Sequence, residues 1–129
     1  MTVTLLKHLK HGERSYIEKL IALNGPRSFR AKNCYRNAQR LILYDTEKRL
    51  RYWEGALNGL IPHAWVTIHG KVVDVTREAV QRKLKRLGLP LGDVPDYSGG
   101  VCISRHAVLR HVMKTNEYGP IRCERDMLL

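Results

Sequence analysis

Cys34, His63 and Asp74 are the residues whose types and surroundings fit nucleophilic chemistry. Cys34 follows Asn33, a residue suited to cap a helix, and opens a stretch in which Ala38, Leu41 and Ile42 recur at helical spacing. A thiol in the first turn of a helix faces backbone N–H groups that no carbonyl of the helix can satisfy. Those groups stabilise a thiolate, and Arg30, Lys32 and Arg36 push the same way. A lone cysteine is more commonly a buried structural residue, so the reactive reading needs a base and a group to orient it.

His63 and Asp74 supply both through strand geometry. The runs 64–68 and 71–75 are rich in β-formers and are joined by His69-Gly70, which reads as a tight hairpin. With His69 and Gly70 as the two loop residues, Ile68 pairs with Lys71 and Trp65 lies opposite Asp74. Alternation then places His63, Trp65, Val72 and Asp74 on one face. His63 and Asp74 become diagonal neighbours, with Cβ atoms ~7–8 Å apart or less. A one-residue slip moves Asp74 to the opposite face, so the pairing depends on register. Each residue alone reads as an ordinary strand position. Together behind a helix-opening cysteine they form a base and its orienting carboxylate.

The remaining elements must hold these three. Mixed three- and four-residue apolar steps predict a helix over 4–23, ended by Asn24-Gly25-Pro26, and 27–32 is a basic connector. The helix opened by Cys34 ends near Tyr44. A strand is predicted over 51–57, with a turn at Asn58-Gly59. Thr76 is the expected cap of a helix over 77–87, stopped by Gly88 and Pro90. Residues 91–100 read as a Gly/Pro/Asp loop, 101–103 as a short strand, and 105–115 as a helix capped by Ser104. The tail from Glu117 reads as loop packed on the body. Segregated helical and strand runs predict an α+β fold, a small antiparallel sheet packed with helices. A single domain over 1–129 is expected, with a helical N-terminal arm 1–25, a Cys-His-Asp core 30–119 and a C-terminal tail 120–129.

His63-Ala64-Trp65-Val66 and Val73-Asp74-Val75-Thr76 resemble the His and Asp motifs of the transglutaminase-like superfamily, whose members share the papain-like arrangement. Asn33-Cys34-Tyr35-Arg36-Asn37-Ala38 resembles its cysteine helix, and Tyr52-Trp53-Glu54-Gly55-Ala56 the strand between the Cys and His motifs. The stretch from Tyr97-Ser98-Gly99-Gly100-Val101 to Glu117-Tyr118-Gly119 is similar to small uncharacterised bacterial and phage proteins with the same triad. The resemblance spans Asn33 to Gly119 and implies a papain/transglutaminase-like core. It also implies cysteine-dependent acyl transfer on a protein or peptide-like substrate through a thioester, as a peptidase, deamidase or transglutaminase. Two departures stand out. The domain is far smaller than the animal transglutaminases, and no Gln precedes Cys34 where papain-like proteases place their oxyanion donor. The backbone N–H of Cys34 and the side chain of Asn33 are the candidate donors. Trp65 reads either as the wall of a substrate channel or as a core aromatic.

The charge suggests a further partner. Lys and Arg total 23 against 12 Asp and Glu, a formal +11. Such a field attracts nucleic acid or an acidic protein, or simply keeps a surface solvated. Arg27, Arg30, Lys32, Arg77, Arg82, Lys83, Lys85 and Arg86 are the anion-binding candidates. The alternative function is therefore a basic binding module on the same fold, its triad vestigial. Aromatic residues are only 7%, which argues against a base-stacking platform. Three cysteines without CxxC spacing argue against a disulfide framework and for a reducing compartment, with a cytoplasmic setting expected. Cys102 reads as core. No run reaches the ~18 apolar residues of a membrane span. The Cys and His spacings fit no closed zinc pattern, so neither metal nor cofactor is expected.

Overall fold

The computed structural model describes residues 1–25 and 28–121. In chain order the elements are α1 (His11–Asn24), α2 (Cys34–Tyr44), β1 (Leu50–Leu57), β2 (Ile61–Ile68), β3 (Lys71–Val73), α3 (Val75–Arg86), β4 (Tyr97–Ile103) and α4 (Arg105–Thr115). The strands pair antiparallel in the order β3-β2-β1-β4, giving the α+β architecture expected. Alternation along the strands sorts their side chains into two layers. Leu50, Tyr52, Ala64, Val66 and Ile68 join Ile17 and Leu20 of α1, Leu41 and Ile42 of α2, and Val108 of α4 in the larger core. Trp65, Val72 and Tyr97 form a smaller cluster with Val3, Trp53 and Leu57 on the other face. No helix among the described residues is long and apolar enough to cross a membrane.

The β2–β3 hairpin has the expected register: Ile68 faces Lys71, Thr67 faces Val72 and Val66 faces Val73. His69 (φ 49°) and Gly70 (φ 78°) both adopt the left-handed conformation that a two-residue primed turn requires. The turn is tied down from outside. Glu13 of α1 is buried, accepts from Lys71 Nζ at 2.7 Å and pairs with His69 Nδ1 at 2.8 Å. Lys71, then His69, hold its carboxyl down at about 2.

Five expectations change. The helix over 4–23 is interrupted: Leu6–His8 is a 3-10 turn, and α1 begins only at His11. The preceding backbone is drawn to the outer edge of β3, where Val3 bridges Val72 in parallel and Thr4 N donates to Val72 O at 2.7 Å. Covering a free strand edge outweighs the helical preference of these few residues. Second, β2 starts at Ile61, so Pro62 and His63 lie within the strand, Pro62 opposite Ala56. Third, Tyr97–Gly100, read as loop, belongs to β4, with Tyr97 opposite Leu57 and Ser98 opposite Ala56. Fourth, the run read as strand over 71–75 ends at Val73: Asp74 caps α3 through its own side chain, and Val75 and Thr76 lie inside the helix. Fifth, Cys102 is exposed on β4. The end of α2, the turn at Asn58-Gly59 and the Ser104 cap of α4 are as expected; Ser104 Oγ accepts from Ala107 N at 3.1 Å. The tail packs on the body as far as Ile121, whose N–H donates to the buried Glu54 carboxylate at 2.9 Å. Cys123 and the rest of the 120–129 tail lie outside the described residues.

Glycine explains why β4 passes close to Trp65. A Cβ at Gly55 would sit 2.6 Å from the Trp65 ring and 2.6 Å from the Ser98 carbonyl oxygen. At Gly100 it would lie 3.0 Å from the same ring. One indole therefore excludes side chains from two neighbouring strands. Gly55→Ala should lower stability by about 1–3 kcal/mol, since a backbone carbonyl and a buried ring cannot yield cheaply. Gly12→Ala, where nothing lies within 4 Å of the new Cβ, should be neutral or mildly stabilising. Urea denaturation midpoints of the two variants check the contrast.

Candidate functional site

Cys34 is the first residue of α2 and is half-buried. Asn33 occupies the N-cap position, but its side chain makes no capping hydrogen bond and is exposed. The start of the helix is fixed instead by Asn37, one turn on and fully buried. Asn37 Nδ2 donates to Arg30 O at 2.8 Å and to Thr76 Oγ1 at 2.9 Å. One amide thus ties together the 28–33 loop, the first turn of α2 and the first turn of α3. Ala38, Leu41 and Ile42 seat the helix on the larger core.

His63 lies where β3 no longer covers β2, because β3 pairs only with Val66–Ile68. Its Nε2 donates to Asp74 Oδ2 at 2.6 Å, and both residues are buried. The diagonal relation deduced from the hairpin is therefore a hydrogen bond. Asp74 is also engaged from two other directions. Its Oδ1 accepts from Thr76 N at 3.0 Å and Arg77 N at 3.3 Å, the cap of α3. Its Oδ2 also accepts from Tyr97 Oη at 2.6 Å. Burial, then the charge and hydrogen bond of Asp74, push the Tyr97 hydroxyl up, so it remains a neutral donor.

With Nε2 committed to Asp74, Nδ1 is the ring nitrogen left for a second partner. The Cys34 side chain also acts on the ring, its hydrogen bonding and charge both favouring the protonated imidazole. Burial alone would lower the His63 pKa, but the bonds to Asp74 and Cys34 outweigh it and raise it from 6.5 to about 9. The ring is thus held as an imidazolium at neutral pH, between a carboxylate and a sulfur. Such a geometry can supply a nucleophile and a proton carrier in one contact.

Other expected residues fall elsewhere. Trp65 is 1% exposed and packs edge-on against Tyr97 at 5.1 Å between ring centres. It is a core aromatic beneath the His63 ring, not the wall of a solvent-open channel. Arg30, Lys32, Arg82, Lys83 and Arg86 line one cavity of about 600 Å³. Arg77 is turned from it and donates to Gly92 O at 3.3 Å, and Lys85 does not line it. Arg27 lies outside the described residues. Sequence reasoning missed Tyr97 and Asn37. The only local signal for Tyr97 was an aromatic before a β-branched run, masked by two glycines. The signal for Asn37 was an amide on the first turn of an otherwise apolar-faced helix.

Searched against protein-family models, curated proteins and solved structures, the chain matches none.

His63 holds its proton more tightly folded (about 9) than unfolded (about 6.5). Its contribution to stability is therefore complete below pH 6.5 and is lost as pH rises through about 9. NMR titration of the His63 ring should give a midpoint near 9. In Asp74→Asn, which keeps a capping oxygen but loses the charge, burial is less opposed and the midpoint should fall by at least one unit. An unchanged midpoint would mean that Asp74 does not set the proton affinity.

Proposed function

We propose that this chain is a cysteine-dependent acyl-transfer enzyme with a papain- or transglutaminase-like core, acting on an amide or related acyl group of a protein or peptide-like substrate. The observation that supports this reading is the position of His63, bonded through Nε2 to Asp74 and influenced by the side chain of Cys34, which opens α2. A buried structural cysteine has no need of an imidazole whose other nitrogen is fixed by a carboxylate.

In this reading Cys34 attacks the carbonyl carbon as a thiolate, and the carbonyl π electrons move to oxygen. The first-turn N–H groups of α2, that of Cys34 included, face the developing oxyanion, and the uncommitted Asn33 side chain is the second donor. Collapse of the tetrahedral species breaks the C–N bond, and the departing nitrogen takes the His63 proton. A thioester on Cys34 remains. Water or an amine then gives a proton to His63 and attacks the thioester, and the thiolate leaves with the acid or the new amide. Asp74 keeps the ring oriented and stabilises its charge throughout, while Tyr97 holds Asp74.

A second reading, a basic module binding nucleic acid or an acidic protein beside a vestigial triad, draws on the cations gathered near Asn33.

Cys102 is an internal reference for the test, being more exposed than Cys34. At pH 6.5, iodoacetamide should modify Cys34 about tenfold faster than Cys102 despite its lower exposure, as peptide mapping by mass spectrometry would show. His63→Ala should erase that advantage. Equal or slower modification of Cys34, indifferent to His63, defeats the catalytic reading.

A further inference from the structure

The cavity beside Asn33 has a composition that the acyl-transfer chemistry does not require. Five cationic side chains line it and no acidic one does. Arg30 and Lys32 come from the loop before α2; Arg82, Lys83 and Arg86 come from α3. None of the five forms an ion pair with a described residue. The nearest acid on α3, Glu78, is committed elsewhere, its Oε1 accepting from Leu6 N at 2.9 Å.

The arrangement is built. Phe29, 6% exposed, anchors the loop in the larger core, and Asn37 holds Arg30 O from beneath. Ala79, Arg82, Lys83 and Arg86 follow helical spacing along one face of α3, and Ala79 leaves room where a longer side chain would fill the space. Like charges at these spacings repel, a cost to the fold that a counter-anion would offset.

We propose that this cavity binds a compact polyphosphate-bearing ligand. Three of its five cations are arginines, whose planar forks match phosphate oxygens two at a time. Its volume, about 600 Å³, is that of a small-molecule site, not of a long groove. Its one aromatic residue, Phe29, is buried and offers no face for stacking a base. The ligand would sit against Asn33, one residue from Cys34. The inference stands apart from the acyl-transfer reading, because binding here needs neither the thiol nor His63.

Inorganic tripolyphosphate is the probe, and calorimetry and thermal shift are the readouts. Tripolyphosphate should bind wild type at one site and raise its melting temperature. Arg82→Ala/Arg86→Ala and, independently, Arg30→Ala/Lys32→Ala should each weaken binding about tenfold or more. Lys85→Ala, on the same helix but outside the cavity, should change it by less than twofold. Cys34→Ala should bind as wild type does, which separates this site from the catalytic one. Lack of saturable binding, or an equal loss in Lys85→Ala, would overturn the proposal. So would tighter binding of an acidic peptide, or of an oligonucleotide whose affinity Lys85→Ala also reduces; these outcomes would assign the surface to a macromolecular polyanion.

Discussion

A single buried carboxylate, that of Asp74, organises this molecule. A charge taken from water is costly unless hydrogen bonds replace its hydration. Asp74 is 2% exposed and receives two backbone N–H groups, an imidazole and a phenol. Those four donors come from the start of α3, from β2 and from β4. Meeting the carboxylate's needs therefore ends β3, begins α3, orients His63 and brings the far strand of the sheet into the same knot. The His63 environment is one outcome of stabilising a buried anion.

The three elements that define the site were legible because each is written locally. His69-Gly70 demands a two-residue turn, the turn fixes register, and register decides which face receives His63 and Asp74. The α2 helix was announced by its apolar spacing and the residue preceding it. What was not legible depends on contacts distant in sequence. Gly99-Gly100 has the composition of a loop, yet at Gly100 the absent side chain makes room for Trp65 of β2. Tyr97 was lost with that stretch. The N-terminal periodicity was real, but an open β3 edge captured the first residues. Asp74 and Thr76 are both capping types two residues apart, and local spacing cannot choose between them; the His63 partner does.

The basic residues divide in the same way. Sequence spacing identifies a cationic face on α3. It does not reveal that Arg77 turns to a carbonyl of the 91–94 region while Arg82, Lys83 and Arg86 meet the loop before α2. That meeting depends on the buried side chains of Phe29 and Asn37. Neither is charged, so a reading of the charge pattern passes over both.

The double duty of Asp74 also bears on how such a chain would decay under mutation. A lineage that no longer needed the chemistry could lose Cys34 at modest cost to folding, because its side chain begins no helix, whereas losing His63 would also leave the buried Asp74 one donor short. Asp74 would be retained for the sake of α3 and Tyr97 alone. Among descendants of this chain, survival of the aspartate would carry little information about activity. Survival of the cysteine would carry nearly all of it.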